Sequence, residues 1–261
     1  MDFGPTNAIY LTEEGRHVCN ASILASIPLA TADDAVKELF RNVPDADHLV
    51  ATDSTIFYPK GGGQPSDTGT MTSHSPTSEF RVKAVHKLPS GTILHLGSYS
   101  GQPFACQDTV VQTVDSQTRR LHSRIHDAGH IIASAVRSLG VPDIQELKAQ
   151  HYPGIAFVDF KGVIPSNKKG EIERVANTIV EDDRAIMVQW WTSKQFQDKS
   201  WTTPDELDDE DDQVRAVEIE GVGAYMCGGT HVGSTGLVGE IRVRKIKKQQ
   251  HITRVSYELV E

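Results

Sequence analysis

His126-Asp127-Ala128-Gly129-His130 lies inside an apolar run, and far downstream Cys227-Gly228-Gly229-Thr230-His231 lies in a glycine-rich turn. Around the first motif, Leu121, Ile125, Ile131, Ile132, Val136 and Leu139 recur at helical spacing. Gly140 then offers a stop, so the pattern predicts a helix over Thr118–Leu139. On a helix, residues i and i+4 share a face, which lets His126 and His130 reach one ion. In the second motif, Gly228 and Gly229 relax the backbone so that Cys227 and His231 can converge. Three imidazoles and a thiolate match the donor chemistry of tetrahedral zinc.

Spacing leaves alternatives open. His122 sits four residues before His126, so His122/His126 is as good a helical pair as His126/His130. A helix with polar-face histidines that bind nothing is the plainer reading of the first motif alone. HxxxH is also the spacing of zinc proteases, but those place Glu after the first His as general base. Here that residue is Asp127, one methylene shorter, which makes the match imperfect.

Working outward, Ile155–Phe160, Ala185–Trp191, Val214–Ile219, Gly239–Lys245 and Ile252–Leu259 read as strands. Ile172, Val175, Ala176, Ile179 and Val180 place a second helix over Gly170–Glu181. Two helices and about five strands predict an α+β domain over residues 113–261. Upstream, β-branched clusters over 8–31 and 48–58 are followed by strand-like pieces at 80–85, 92–96 and 109–114. With Gly, Pro and Ser turns between them, they predict a small β-barrel over residues 1–112, interrupted by a helix near Thr31–Phe40. Between its strands runs Gly61-Gly62-Gly63-Gln64-Pro65-Ser66-Asp67-Thr68-Gly69, turn chemistry throughout.

Composition narrows the class. No apolar run approaches the roughly 18 residues needed to cross a bilayer, so no membrane partner is expected. The first residues, MDFGPTNAIYLTEEGRH, are too polar and acidic for a secretory signal. Three scattered cysteines (Cys19, Cys106, Cys227) argue against a disulfide framework and for a reducing, cytoplasmic setting. Net charge is −9, but residues 205–212 hold seven acids in eight positions, so most of that charge is local. Such a block reads as a solvated loop. Elsewhere Arg242, Arg244, Lys245, Lys247 and Lys248 crowd into one strand-like stretch. Alternation sets Ile241 and Val243 on one face and Arg242 and Arg244 on the other, where they would track phosphates or simply guard an edge strand.

The whole set of motifs resembles the free-standing alanyl-tRNA editing proteins of the AlaX type, relatives of the editing domain of alanyl-tRNA synthetase. The resemblance rests on Asp53-Ser54-Thr55-Ile56-Phe57-Tyr58, Gly61-Gly62-Gly63-Gln64, Asp67-Thr68-Gly69, His126…His130, Cys227-Gly228-Gly229-Thr230-His231-Val232 and Thr253-Arg254-Val255-Ser256-Tyr257-Glu258. It covers nearly the whole chain, in the family's order. It implies an N-terminal barrel followed by a two-layer α/β editing domain, and zinc held by His126, His130, Cys227 and His231, with His122 outside the shell. It also implies hydrolysis, in trans, of the ester in tRNA(Ala) mischarged with serine or glycine. No aminoacylation core is present, so ligase activity is not expected.

The resemblance favours Gln64 as a group reaching the acyl carbonyl or terminal ribose, beside Gly62 and Gly63. Thr55 is the candidate pocket hydroxyl, since a site built for a hydroxyl rejects analogues lacking one. Asp67 reads as a turn-former rather than a base. Arg242 and Arg244 become candidate contacts to tRNA. Three features depart from the family. Asp127 stands where Thr or Ser is usual, which also admits an inactive, zinc-stapled tRNA- or synthetase-binding module. The acidic block resembles an insertion. Lys247-Lys248-Gln249-Gln250-His251 replaces a more glycine-rich turn.

Overall fold

The computed structural model describes residues 3–43, 46–74, 77–200 and 213–260. The acidic block 205–212 lies outside them. The chain divides into two compact units: Met1–Gly61 with Pro65–Arg120, and Gly62–Gln64 with Leu121–Glu261.

The first unit contains β1 (Asn7–Ala8), β2 (Val18–Pro28), α1 (Asp34–Leu39), β3 (His48–Thr52), β4 (Ser54–Thr55), β5 (Gly69–His74), β6 (Thr77–Lys87), β7 (Ile93–Ser100) and β8 (Thr109–Val114). Six of these strands close a barrel in the order β2-β3-β7-β6-β5-β8, antiparallel at every seam, while β1 pairs parallel with β4. Closure leaves no unpaired barrel edge. Alternation drives the arrangement: Cys19, Ala21 and Ile23 of β2 and Val110, Gln112 and Val114 of β8 are buried, and the residues between them are more exposed. Met71, Phe80 and Val50 complete that core.

One polar network sits among these apolar groups. Gln112 accepts from Ile56 N–H at 3.1 Å and donates to the Ser54 carbonyl at 3.0 Å. His95 Nδ1 donates to the Val50 carbonyl at 3.1 Å, which leaves Nε2 to accept from the Thr55 hydroxyl at 2.8 Å. Burial pushes the His95 pKa down from 6.5 to about 4. The unfolded chain therefore binds a proton below pH 6.5 that the folded chain refuses until about pH 4. Stability from this group is full above pH 6.5 and is lost as pH falls through that window. At about 1.4 kcal/mol per pH unit the loss is on the order of 3 kcal/mol. Acid-titration melts of wild type and His95→Gln should show a shallower pH slope in the variant. Identical slopes would remove His95 from this role.

In the second unit lie β9 (Gln145–Gln150), β10 (Phe157–Lys161), α3 (Lys169–Glu181), β11 (Ile186–Thr192), α4 (Ser193–Lys199), β12 (Gln213–Ile219), β13 (Gly223–Met226), β14 (Ile241–Gln249) and β15 (Ile252–Leu259). The long helix α2 (Ser116–Ser138) contributes its residues from Leu121 onward. The strands form a four-stranded sheet, β14-β15-β10-β9, and a three-stranded sheet, β11-β12-β13. Asp115 caps α2: its carboxylate accepts the N–H groups of Gln117 and Thr118 at 3.1 and 3.0 Å. Past its end, Gly140 takes φ +62° and bonds back to the Arg137 carbonyl. Ile125, Ala128, Ile132 and Val136 of α2 and Ile172 and Ala176 of α3 share one buried cluster with Val158, Phe160, Val243 and Val255 of the sheet. Each large side chain so buried stabilises by roughly 1.5–3 kcal/mol.

The mixed α/β character, the barrel and both predicted helices of the second half are as the sequence pattern has them. Four strands and helices are additional, the first being barrel strand β5, which follows the glycine-rich turn and pairs with β6 and β8. Strand β9 is Gln-Glu-Leu-Lys-Ala-Gln, residues without strand preference, held as a strand by its ladder with β10. Strand β13 follows a tight turn from β12. Helix α4 carries a local signal in Thr192 and Gln195, which form a reciprocal capping box.

Candidate metal centre

His126 and His130 lie on the buried face of α2, with ring centroids 4.9 Å apart. Cys227 and His231 come from the turn directly after β13. Side-chain donor atoms of these four residues all lie within 4.8 Å of one another, and His126 Nε2 is 3.2 Å from Cys227 Sγ. His122, on the same helix, is not in the group.

Surrounding contacts fix which ring nitrogen faces the centre. Gln64 Oε1 accepts from His126 Nδ1 at 2.7 Å and from Thr230 N–H at 3.1 Å, while its amide donates to Thr230 Oγ1 at 2.8 Å. His126 Nε2 is thereby left to the cluster. Asp127 does the same for His231: Oδ1 lies 2.5 Å from His231 Nδ1, and Oδ2 accepts Val232 N–H at 2.8 Å. Carboxylate or carbonyl partners on the outer nitrogen are what metal-bound histidines use to hold tautomer and orientation. Among the described residues, Nε2 of His130 and Nε2 of His231 are buried with no hydrogen-bond partner. Two buried ring nitrogens left unmatched would be costly, and a shared ion would satisfy both once His231 gives up its proton. The residues present therefore fit a zinc ion with a three-nitrogen, one-sulfur shell.

Electrostatics divide that donor set: they favour His126 and His130 as ligands, while His231 would release a proton on binding. Burial, with help from neighbouring imidazoles, holds His126 and His130 well below the usual histidine range, so both are neutral and able to bind metal. Burial opposes charge on His231 too, but the Asp127 carboxylate and Cys227 override it and lift that histidine well above the usual range. Asp127 itself is raised by burial, against the pull of His231.

Glycines make the close approach possible. A Cβ on Gly229 would stand 2.3 Å from His126 Cε1 and 3.0 Å from Gln64 Oε1. At Gly63 the backbone takes φ +76°, and a Cβ would meet the Ala149 carbonyl oxygen at 2.3 Å. Its own carbonyl accepts from His151 N–H at 2.8 Å, which pins the loop that delivers Gln64.

Residues 12–118 match the family described as tRNA synthetases class II (A), and residues 214–256 match the threonyl and alanyl tRNA synthetase second additional domain. The chain is 32% identical over 219 residues to an alanyl-tRNA editing protein AlaX-M of Methanosarcina barkeri, covering 81% of this chain and 88% of that protein. The AlaX-M protein of Methanosarcina acetivorans is 30% identical over 224 residues, with the same two coverages of 81% and 88%. An alanine–tRNA ligase of Thermofilum pendens is 30% identical over 269 residues, which is 98% of this chain but 26% of the ligase. This chain belongs to the AlaX-type alanyl-tRNA editing protein family.

Other residues read from the sequence of this AlaX-type chain are not among the four donors. Thr55 lies in the first unit, with no exposed surface, and its hydroxyl is bonded within the His95–Gln112 network. Asp67 is more than a turn-former. Fully buried, it pairs with Arg119 through both oxygens, at 2.8 and 2.9 Å from Nε, and accepts Tyr58 N–H at 2.6 Å. Gly62 is exposed with φ +50°. Arg242 and Arg244 are exposed on β14, opposite in facing to Ile241 and Val243, and each lies 3.5 Å from Glu258. A bulge between Val243 and Lys245 resets the register, so Lys245 and Lys247 pair with Ser256 and Arg254. Lys247–Gln249, grouped by sequence with a turn, extend β14, and the turn itself falls at Gln250 with φ +56°.

His151 is the residue sequence reasoning missed. Its ring stacks on His126, with centroids 4.2 Å apart and planes 16° apart. Burial, then the charge on His231, push its pKa down to about 3. A lone histidine after β9 carries no spacing signal. The nearest hint is indirect: a Cβ on Gly129 would meet His151 Cε1 at 2.4 Å, so the small residue inside HxxxH makes room for it.

Proposed function

We propose that this chain is a trans-editing deacylase that hydrolyses the ester joining serine or glycine to tRNA(Ala), with zinc held by His126, His130, Cys227 and His231. The observation that carries it is the convergence of those four donors, with buried, unmatched Nε2 atoms on His130 and His231, in a chain of the AlaX-type family. When bound, zinc supplies a fixed positive charge and Lewis acidity beside the ester. The protein's own residues do the rest. Gln64 and Asp127 hold His126 and His231 in the required tautomers. Gly62 and Gly63 shape the loop next to the centre, and Arg242 and Arg244 offer cations to tRNA phosphates. In this reading residues 1–112 form the barrel domain, and residues 113–261 form the two-layer editing domain to which the GGGQ loop adds its glutamine. Asp127 works as a positioning residue for His231, so its departure from Thr or Ser lends no support to an inactive binding module.

The test is deacylation of Ser-, Gly- and Ala-tRNA(Ala) by the zinc-loaded protein, with metal content measured in parallel. Hydrolysis of the seryl or glycyl ester with the alanyl ester spared is the expected result. A zinc-loaded protein that hydrolyses none of the three would overturn the proposal.

A further inference from the structure

Tyr257 has one hydroxyl proton, and its oxygen stands 2.9 Å from the Ile125 carbonyl and 2.7 Å from His151 Nδ1. A carbonyl only accepts, so the tyrosine proton goes to Ile125. His151 Nδ1 must then carry a hydrogen and donate it to the Tyr257 oxygen. The tautomer of His151 is thus fixed from outside the ring, and Nε2 is a bare lone pair. No hydrogen bond among the described residues reaches that atom. It also differs from Nε2 of His130 and His231, which are closed off from solvent: His151 is 3% exposed, and its Nε2 is not among the buried unmatched atoms. The ring is held rigidly. It stacks on His126, its backbone N–H is bonded to Gly63, and Gly129 leaves the space it occupies.

We infer that His151 is a specificity-determining residue whose Nε2 accepts a hydrogen bond from the aminoacyl group of the substrate. This rests on the editing reading above. The ester offers two donors of that chemistry: the α-ammonium, present on every amino acid, and the β-hydroxyl, present on serine but absent from alanine and glycine. A preplaced acceptor left without its donor is penalised, which is how polar sites reject analogues. The four cluster residues are taken up by the metal and by Gln64 and Asp127. His151, stacked on His126, has an acceptor still to offer.

Two variants separate this role from simple packing. His151→Phe keeps an aromatic ring against His126 and removes the lone pair. His151→Gln keeps an acceptor. Zinc content and kcat/KM on Ser- and Gly-tRNA(Ala) are measured for both. We expect His151→Phe to bind zinc normally and to lose about 10- to 100-fold in kcat/KM, with His151→Gln recovering part of it. A loss confined to the seryl substrate identifies the hydroxyl as donor; an equal loss on both identifies the ammonium. Wild-type hydrolysis with His151→Phe unchanged on both substrates would overturn the inference and leave the editing reading standing. Zinc loss in both variants, in step with activity, would overturn it in favour of a packing role. A zinc-loaded wild type without hydrolysis would overturn both readings together.

Discussion

Cys227→Ala is expected to strip the protein of stably bound zinc. Three donors would remain, with two of their Nε2 atoms already buried and unmatched among the described residues. The thiolate is the one donor in the group that brings formal negative charge, and it sits 3.2 Å from His126 Nε2. Its removal takes away both a bond and the charge that offsets the ion. Loss of an outer partner costs roughly 10- to 100-fold in metal affinity, and loss of a ligand costs more than that. Chelator competition should therefore show an affinity drop beyond 100-fold, and deacylation should fall with it. The fold should be retained, because the buried members of the cluster, Ile125, Val136, Phe160 and Val255 among them, include none of the four donors, and Cys227 only packs against it. Full zinc occupancy in a folded Cys227→Ala protein would remove the thiolate from the shell.

Asp127→Ala carries the second large effect. The carboxylate is fully buried and makes two contacts, to His231 Nδ1 and to Val232 N–H. Truncation leaves both donors buried and unmatched, at about 1–3 kcal/mol each. It also frees His231 to rotate or to place its proton on Nε2, the atom facing the cluster. Zinc affinity should fall about 10- to 100-fold with the ligands themselves intact. Asp127→Asn keeps an acceptor for one of the two contacts and should fall between alanine and wild type. Zinc titration of the three proteins checks the order, and equal affinities would show that Asp127 plays no part in positioning His231. Asp127→Thr is informative for the family comparison. If Asp127 supports the centre as described, that exchange weakens zinc binding here, although Thr or Ser is the usual family residue.

Much of this centre is legible without coordinates. The i, i+4 spacing of His126 and His130 on an apolar run, and the glycines around Cys227 and His231, are local patterns with local causes. The helix they sit on shows both of its ends in the chain: Asp115 before it and Gly140 after it. Alternation along β2 and β8 is likewise enough to show half-buried strands. Residues whose roles depend on distant partners are different. Asp67 looks like a turn residue until Arg119, 52 positions away, closes on it. Thr55 looks like a pocket hydroxyl until His95 and Gln112 meet it from two other strands. Gln64 looks like a group aimed at substrate, yet its carbonyl is bonded to a histidine 62 residues on.

The sequence by itself offered the candidate donors, with His122 left open by spacing and set aside only by the family resemblance, and it marked the helix that carries half of them and most of the barrel strands. The helix and the strands follow from periodicity and residue chemistry within short windows. Only the tertiary structure decided which atoms face the centre. Tautomer and ring orientation are set by Gln64, Asp127 and Tyr257, partners brought close by the fold rather than by the chain. That is also why His151, unmarked in the sequence, stacks on one of the four candidate ligands with its Nδ1 held in one place.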